Sequence, residues 1–365
     1  MKRPLPTPRQ SVAMMEGYHS PQLDVRIRLN TNESPFPPPA EWEDRLAQAV
    51  GQQWFHRYPD RTALALRTRI ATHHGVGPEN VFVANGSNEV LQTLCLAYGG
   101  PGAVALTSEP TYALHSHISR IAGMTVHEIA RDDEFATNEA SYIEALSTVA
   151  PALAFLCTPN NPTGNVESPE FVRAALKAVP GLLVVDEAYG QFAPWSALEL
   201  VADDVPLVVV RTFSKTWSMA GVRLGYLVGP AAVVDVLYKV VLPYHLDSLK
   251  QIAGELALDY EDAMVNRVEM LVAERERVAS ALACLPVQHW PSGANFVLFR
   301  PLGEHGATVW QALVDRGILV RNCASWPGLE GCLRVTIGTN EENTEFLGAL
   351  ADVLSVAQDQ GKAAL

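Results

Sequence analysis

The chain has 365 residues, 48% of them hydrophobic and 18% charged, which excludes a disordered chain and allows two domains or one large one with a real core. Lysine and arginine number 27 against 40 aspartate and glutamate, and the net charge of −13 argues against nucleic acid or an anionic membrane as a general partner. No apolar run is long enough to span a membrane, and no apolar stretch follows the charged N-terminus to form a signal peptide.

In chain order, residues 1 to about 28 are Pro-rich and polar and predict an extended arm, interrupted by Gly17-Tyr18-His19-Ser20. Prolines at 37 to 39 disfavour regular structure. Helices are predicted over 40–52 and 64–74, with the turn Tyr58-Pro59-Asp60 between them. From Val81 an alternation begins. Strands are predicted at 81–84, 103–106, 125–129, 152–157, 182–185 and 207–210, with helices at 89–97, 115–122, 139–148 and 169–178. Apolar strands alternating with helices predict an α/β fold with a mainly parallel sheet covered on both faces. After Gly229 come helices at 231–241, 248–260 and 261–285. Strands at 294–299, 318–320 and 332–337 and helices at 308–315 and 341–357 then read as a smaller α+β unit. The expected division is an arm over 1–45, packing with the small unit or a partner subunit, a large domain over 46–260 and a small domain over 261–365.

Ligands of open α/β sheets bind beyond the carboxyl ends of the strands. There the sequence concentrates its polar groups: Asn85-Gly86-Ser87-Asn88 opening a helix, Pro110-Thr111-Tyr112, Thr158 to Gly164, Asp186-Glu187-Ala188-Tyr189, and Ser214-Lys215. Any one of these could be turn chemistry alone, but five on one edge are hard to dismiss. Amides at a helix start bind anions. A lysine among small and hydroxyl residues can be desolvated, which makes its amine a nucleophile toward carbonyls. Ser214 and Arg223 suit a phosphate. Five cysteines without a CxxC pair fit a reducing, cytoplasmic setting and no metal site. Cys95, Cys157 and Cys284 read as core residues.

Asn160-Asn161-Pro162-Thr163-Gly164, Asp186-Glu187-Ala188-Tyr189 and Ser214-Lys215 with Arg223, in this order, resemble the fold type I pyridoxal-phosphate aminotransferases. Asn32-Glu33-Ser34-Pro35, Tyr58-Pro59-Asp60, Pro243-Tyr244-His245-Leu246, Ser292 to Phe296 and Leu333 to Gly338 resemble, more narrowly, the histidinol-phosphate aminotransferases of histidine biosynthesis. The resemblance runs from about Tyr18 to the final helix.

It implies a large domain with a mainly parallel seven-stranded sheet between helices, a smaller α+β domain, and pyridoxal 5′-phosphate as cofactor. Lys215 would hold that cofactor as a Schiff base and act as general base and acid. Asp186 would pair with the pyridine nitrogen, and Tyr189 and Asn161 with the ring hydroxyl. Tyr112 would stack on the ring. Ser87, Asn88, Ser214, Arg223 and Tyr58 of a partner subunit would hold its phosphate. Asn88 stands where the family more often has an acidic residue, and Ser34 where it has Asn. Arg321, Arg334, Tyr18 and Asn161 would bind substrate. His19, His73 and His74 match no role and read as surface residues.

The implied reaction converts histidinol phosphate and 2-oxoglutarate to imidazole acetol phosphate and glutamate, in a homodimer with shared sites. Two other activities share the scaffold: aromatic amino acid aminotransferase and threonine-phosphate decarboxylase. A cofactor-binding regulator without catalysis is opposed by the intact lysine, aspartate, tyrosine and arginine pair.

Overall fold

The apolar runs between Val81 and Val228 assemble into one sheet. In the computed structural model, which describes residues 5–13, 15, 17 and 22–363, the strands in chain order are β1 (Ile27–Leu29), β2 (Val81–Ala84), β3 (Val104–Glu109), β4 (Thr125–Ala130), β5 (Leu153–Cys157) and β6 (Leu182–Asp186). There follow β7 (Leu207–Thr212), β8 (Gly225–Val228), β9 (Val287–His289), β10 (Phe296–Pro301), β11 (Ile318–Asn322) and β12 (Leu333–Thr336). Tyr18 and His19 lie outside the described residues.

The larger sheet has seven strands in the order β2-β8-β7-β6-β5-β3-β4. β3 to β7 run parallel, and β8 is inserted antiparallel to both β2 and β7. Residues of β5, β6 and β7 are buried throughout, as strands covered on both faces require. Two apolar clusters fill the two faces, one built on Phe82, Phe155 and Val184 and the other on Leu106, Leu156 and Val185.

Hydrophobic periodicity does not reveal β8, because it is four residues long and begins with a glycine. Gly225 is required there, since a Cβ would collide with the backbone nitrogen of Ser87. Strands β6 and β7 also run on past the expected apolar stretch to take in Asp186, Arg211 and Thr212. Arg211 can enter the sheet because its guanidinium donates to Glu187 Oε2 at 2.6 Å, with both side chains buried.

The smaller sheet has five strands in the order β1-β11-β12-β10-β9. β1 pairs parallel with β11, with Arg28 opposite Leu319, while the remaining pairs are antiparallel. An arm extended to residue 28 is therefore corrected at two places: Gln10–Ala13 is a short helix, and Ile27–Leu29 is a strand of this sheet. The helix Glu261–Leu282 reaches both cores. Met264 lies in the cluster around Leu66 and Phe213, whereas Leu271, Val278 and Leu282 lie in the cluster of the smaller sheet.

Two further expectations are corrected. Cys284 is exposed, since the chain past the helix turns Leu282 and Leu285 inward and leaves the thiol outside. His74 is not a surface residue. Its Nε2 lies 2.8 Å from the Tyr226 hydroxyl, and burial pushes its pKa down to about 3.

Removing one partner of a buried ion pair strands the other charge, at a cost of about 3–5 kcal/mol. Arg211→Met should therefore lower stability by that order in urea unfolding, through the Glu187 carboxylate left buried, whereas Lys239→Met in the exposed pair with Asp235 should change it by less than about 1 kcal/mol.

Candidate active site

Five strand ends supply one cavity of about 330 Å³. β6 ends at Asp186, whose Oδ1 accepts from the Ala188 amide at 3.0 Å and whose Oδ2 lies 2.9 Å from His115 Nε2. Both side chains are buried. His115 is fixed from the other side by Phe155, stacked at 5.0 Å and 13°, and its Nδ1 has no hydrogen-bond partner. An ionised carboxylate only accepts, so Nε2 carries a proton and donates to it. Asp186 is thereby held in one orientation at the cavity floor.

β7 leads directly to Ser214 and Lys215. Lys215 Nζ donates to the Thr31 carbonyl at 3.0 Å and sits 5.8 Å from the Tyr189 ring centroid. Burial, and then the Arg334 charge, lower its pKa to about 7, with Glu33 opposing. Burial pushes the Tyr189 phenol up to about 12, so it stays protonated.

The helix Ser87–Tyr98 starts at the end of β2 and points its first amides at the same space. Gly86 precedes it at φ 84°, and a Cβ there would lie 2.7 Å from Arg223 Nη2. The missing side chain is what lets the guanidinium approach the helix start. Arg223 Nη1 also lies 3.4 Å from Ser214 Oγ, and Thr212 Oγ1 lies 2.9 Å from the same hydroxyl. Amides, two hydroxyls and a guanidinium form an anion cradle. The Asn88 side chain accepts from the Tyr112 hydroxyl at 2.9 Å.

The opposite wall comes from the smaller sheet. Arg321 on β11 and Arg334 on β12 are directly opposite across the strand pair, and both are buried. Arg321 packs over Trp326 and Arg334 over Phe296, each at 5.0 Å. Arg334 Nη2 donates to the Asn30 carbonyl at 3.0 Å, and Nη1 donates to Asn161 Oδ1.

Of the residues singled out from the sequence, Ser87, Asn88, Tyr112, Asn161, Asp186, Tyr189, Ser214, Lys215, Arg223, Arg321 and Arg334 all line this cavity. Tyr58 does not; it is 80% exposed and stacks on Tyr244 at 4.5 Å, away from the site within one chain. Tyr18 lies outside the described residues. Sequence reasoning passed over His115, Trp326 and the segment Asn30-Thr31-Asn32-Glu33. Nothing in the spacing of His115 or Trp326 marks them. Asn32 and Glu33 stood inside a recognised motif but had no chemistry attached.

The fold and this cavity define a class. The model of the family "Aminotransferase class I and II" matches residues 25–350, and the chain is a member of that class. Over 363 residues it is 44% identical to a histidinol-phosphate aminotransferase of Frankia casuarinae, covering 95% of this chain and 90% of that protein. Against a histidinol-phosphate aminotransferase of Mycobacterium marinum it is 42% identical, covering 94% and 92%. Within its class the chain belongs to the histidinol-phosphate aminotransferase family. In three dimensions it matches the histidinol-phosphate aminotransferase of Sinorhizobium meliloti, solved in complex with pyridoxal-5′-phosphate, with a TM-score of 0.86 at 24% identity, covering 95% and 97% of the two chains. That likeness concerns the fold.

An amine with a pKa near 7 is half neutral at neutral pH. Reductive methylation of the apoprotein by formaldehyde and cyanoborohydride, followed by peptide mass spectrometry, should modify Lys215 with a midpoint near pH 7, against about 10 for surface lysines. Arg334→Ala removes the second cause of the depression and should move the midpoint upward.

Proposed function

We infer that the chain transfers an amino group from histidinol phosphate to 2-oxoglutarate, giving imidazole acetol phosphate and glutamate, with pyridoxal 5′-phosphate held on Lys215. One observation carries the choice of substrate: the two buried guanidinium groups of Arg321 and Arg334, set opposite each other on β11 and β12. Like charges directly opposite on paired strands are unfavourable. A phosphate dianion offsets that repulsion more fully than a monoanionic carboxylate does, and guanidinium forks match its oxygens.

The residues present fit the cofactor. Lys215 is a cavity-facing amine with a depressed pKa, Asp186 is a buried fixed carboxylate, and Gly86 leaves open a cradle of amides, Ser214 and Arg223 for a phosphate. Asp186 would hold the ring nitrogen, and Tyr112, Asn161 and Tyr189 would flank the ring. When bound, the cofactor supplies an electron sink for charge developing at the donor Cα. The chain supplies the rest. Lys215, whose pKa burial lowers, takes the Cα proton and returns it. Asp186, oriented by His115, presents a fixed carboxyl group at the floor. Arg321 and Arg334 orient the donor by its phosphate, and in the second half-reaction they receive a 2-oxoglutarate carboxylate.

We further propose a homodimer in which Tyr58 completes the partner's phosphate cradle. Trp54, Phe55, Tyr58 and Leu242 are each at least 70% exposed, and the Tyr58–Tyr244 stack joins the two segments into one aromatic patch. Large exposed apolar surface of this kind marks an interaction face. The working division is a cofactor-binding unit over 46–260 and a small unit over 261–365, with the first 45 residues joined to the latter through β1. Five free cysteines fit a reducing compartment such as the cytoplasm. Among the described residues no helix is long and apolar enough to cross a membrane.

Borohydride reduction of the holoprotein should fix pyridoxal phosphate on Lys215 by mass spectrometry; an adduct elsewhere sinks the central assignment. In a donor panel, histidinol phosphate should exceed phenylalanine, tyrosine and threonine phosphate in kcat/KM. Losing one charged partner in a desolvated site costs about 2–5 kcal/mol, so Arg334→Ala should lower kcat/KM at least ~30-fold. An aromatic donor that outperforms histidinol phosphate would move the assignment to an aromatic aminotransferase. For the shared site, mixing Lys215→Ala subunits with Tyr58→Phe subunits should restore part of the lost activity. A fully active monomer overturns the dimer.

A further inference from the structure

The segment Asn30-Thr31-Asn32, which follows β1, touches three cavity groups in succession. The Asn30 carbonyl accepts from Arg334, the Thr31 carbonyl accepts from Lys215, and Asn32 Nδ2 donates to the Tyr189 hydroxyl at 2.8 Å. The last contact has a direction that the rest of the network determines. Thr336 Oγ1 accepts from the Asn32 backbone amide at 2.9 Å. The hydroxyl's single proton donates to Asn32 Oδ1, which lies 3.0 Å away. A flipped amide would turn Nδ2 toward a hydroxyl that already accepts one N–H and would remove the acceptor of its proton, so the network favours Nδ2 facing Tyr189. An amide nitrogen only donates, so the phenol oxygen accepts from this side and its own proton must leave on another.

The backbone is shaped to make this contact. Asn32 is 1% exposed and sits at φ 54°, a left-handed conformation that asparagine tolerates better than most residues. Its carbonyl accepts from Asn295 Nδ2 at 3.2 Å, so β12 and the turn before β10 hold it from both ends. Thr336 and Arg334 are two residues apart on β12 and share a face, so the strand that presents the substrate arginine also locks the asparagine.

We propose that Asn32 is a positioning residue that sets the direction of the Tyr189 hydroxyl proton, turning Tyr189 into a donor toward the cofactor site. This rests on the reading of the cavity as a pyridoxal-phosphate site. Tyr189 donates to the cofactor's ring oxygen only while Asn32 occupies the opposite side of the phenol. Aspartate at position 32 is isosteric but accepts, so it draws the phenol proton away from the cavity.

The test is a pH titration of the visible absorption band of the holoenzyme. Donation to an anionic ring oxygen favours the deprotonated chromophore, so its loss raises the midpoint. Tyr189→Phe should raise it by about one pH unit, the worth of one hydrogen bond. Asn32→Asp should move it in the same direction, in part through its added charge, whereas the neutral Thr336→Val added to Tyr189→Phe should give no further shift, because the two act through one bond. Thr336→Val unlocks the amide without replacing Asn32 and should give a smaller shift of the same sign; it also serves if Asn32→Asp does not fold. A shift with Tyr189→Phe but none with Asn32→Asp or Thr336→Val overturns the role of Asn32. Additive shifts in the double variant overturn it equally. A wild-type protein with no visible band overturns the cofactor reading instead.

Discussion

Positive charge gathered where water is scarce is the constraint on which the site depends. Lys215, Arg223, Arg321 and Arg334 converge on one cavity, against the carboxylates of Glu33 and Asp186. Such a group is unstable unless its protons are occupied or its charge is relieved. Both solutions are visible. Lys215 gives up its proton readily, and the arginines spend theirs on backbone carbonyls: Asn30 for Arg334 and Ala220 for Arg223. Carbonyl oxygens compensate a cation without neutralising it. The cavity therefore keeps a positive field inside a chain whose net charge is −13, which suits it to anionic ligands.

The two sheets divide this work by chemistry. The larger one ends in the lysine, the aspartate and the anion cradle. The smaller one presents the paired arginines and, through β1, the Asn30–Asn32 segment that reaches back to Lys215 and Tyr189. The arginine pair and the lysine thus meet across a strap of three residues. Changes to the strap disturb both at once, although none of its residues needs to touch substrate.

Much of this was legible before the structure. Long apolar strands such as Leu153–Cys157 and Leu182–Asp186 announce themselves, because burial on both faces demands unbroken hydrophobic runs. Residues at their ends could be assembled into one site because parallel strands deliver their polar tails to one edge. What stayed hidden depended on partners distant in sequence. β1 is three residues long and exists only because Ile318–Val320 offers it an edge. His115 looks like any helical histidine until Asp186 is placed beside it, 71 residues on. Cys284 was misjudged because apolar neighbours in sequence do not say which side of a turn a thiol takes.

The helix Glu261–Leu282 has a consequence for how the molecule comes apart. Its first turns belong to the core beneath the larger sheet, its last turns to the core of the smaller one, and Val268 packs against both. Neither core can melt and leave this helix intact for the other, since each supplies a stretch of its apolar contacts. Denaturation of the chain should then be a single concerted event rather than two separate transitions.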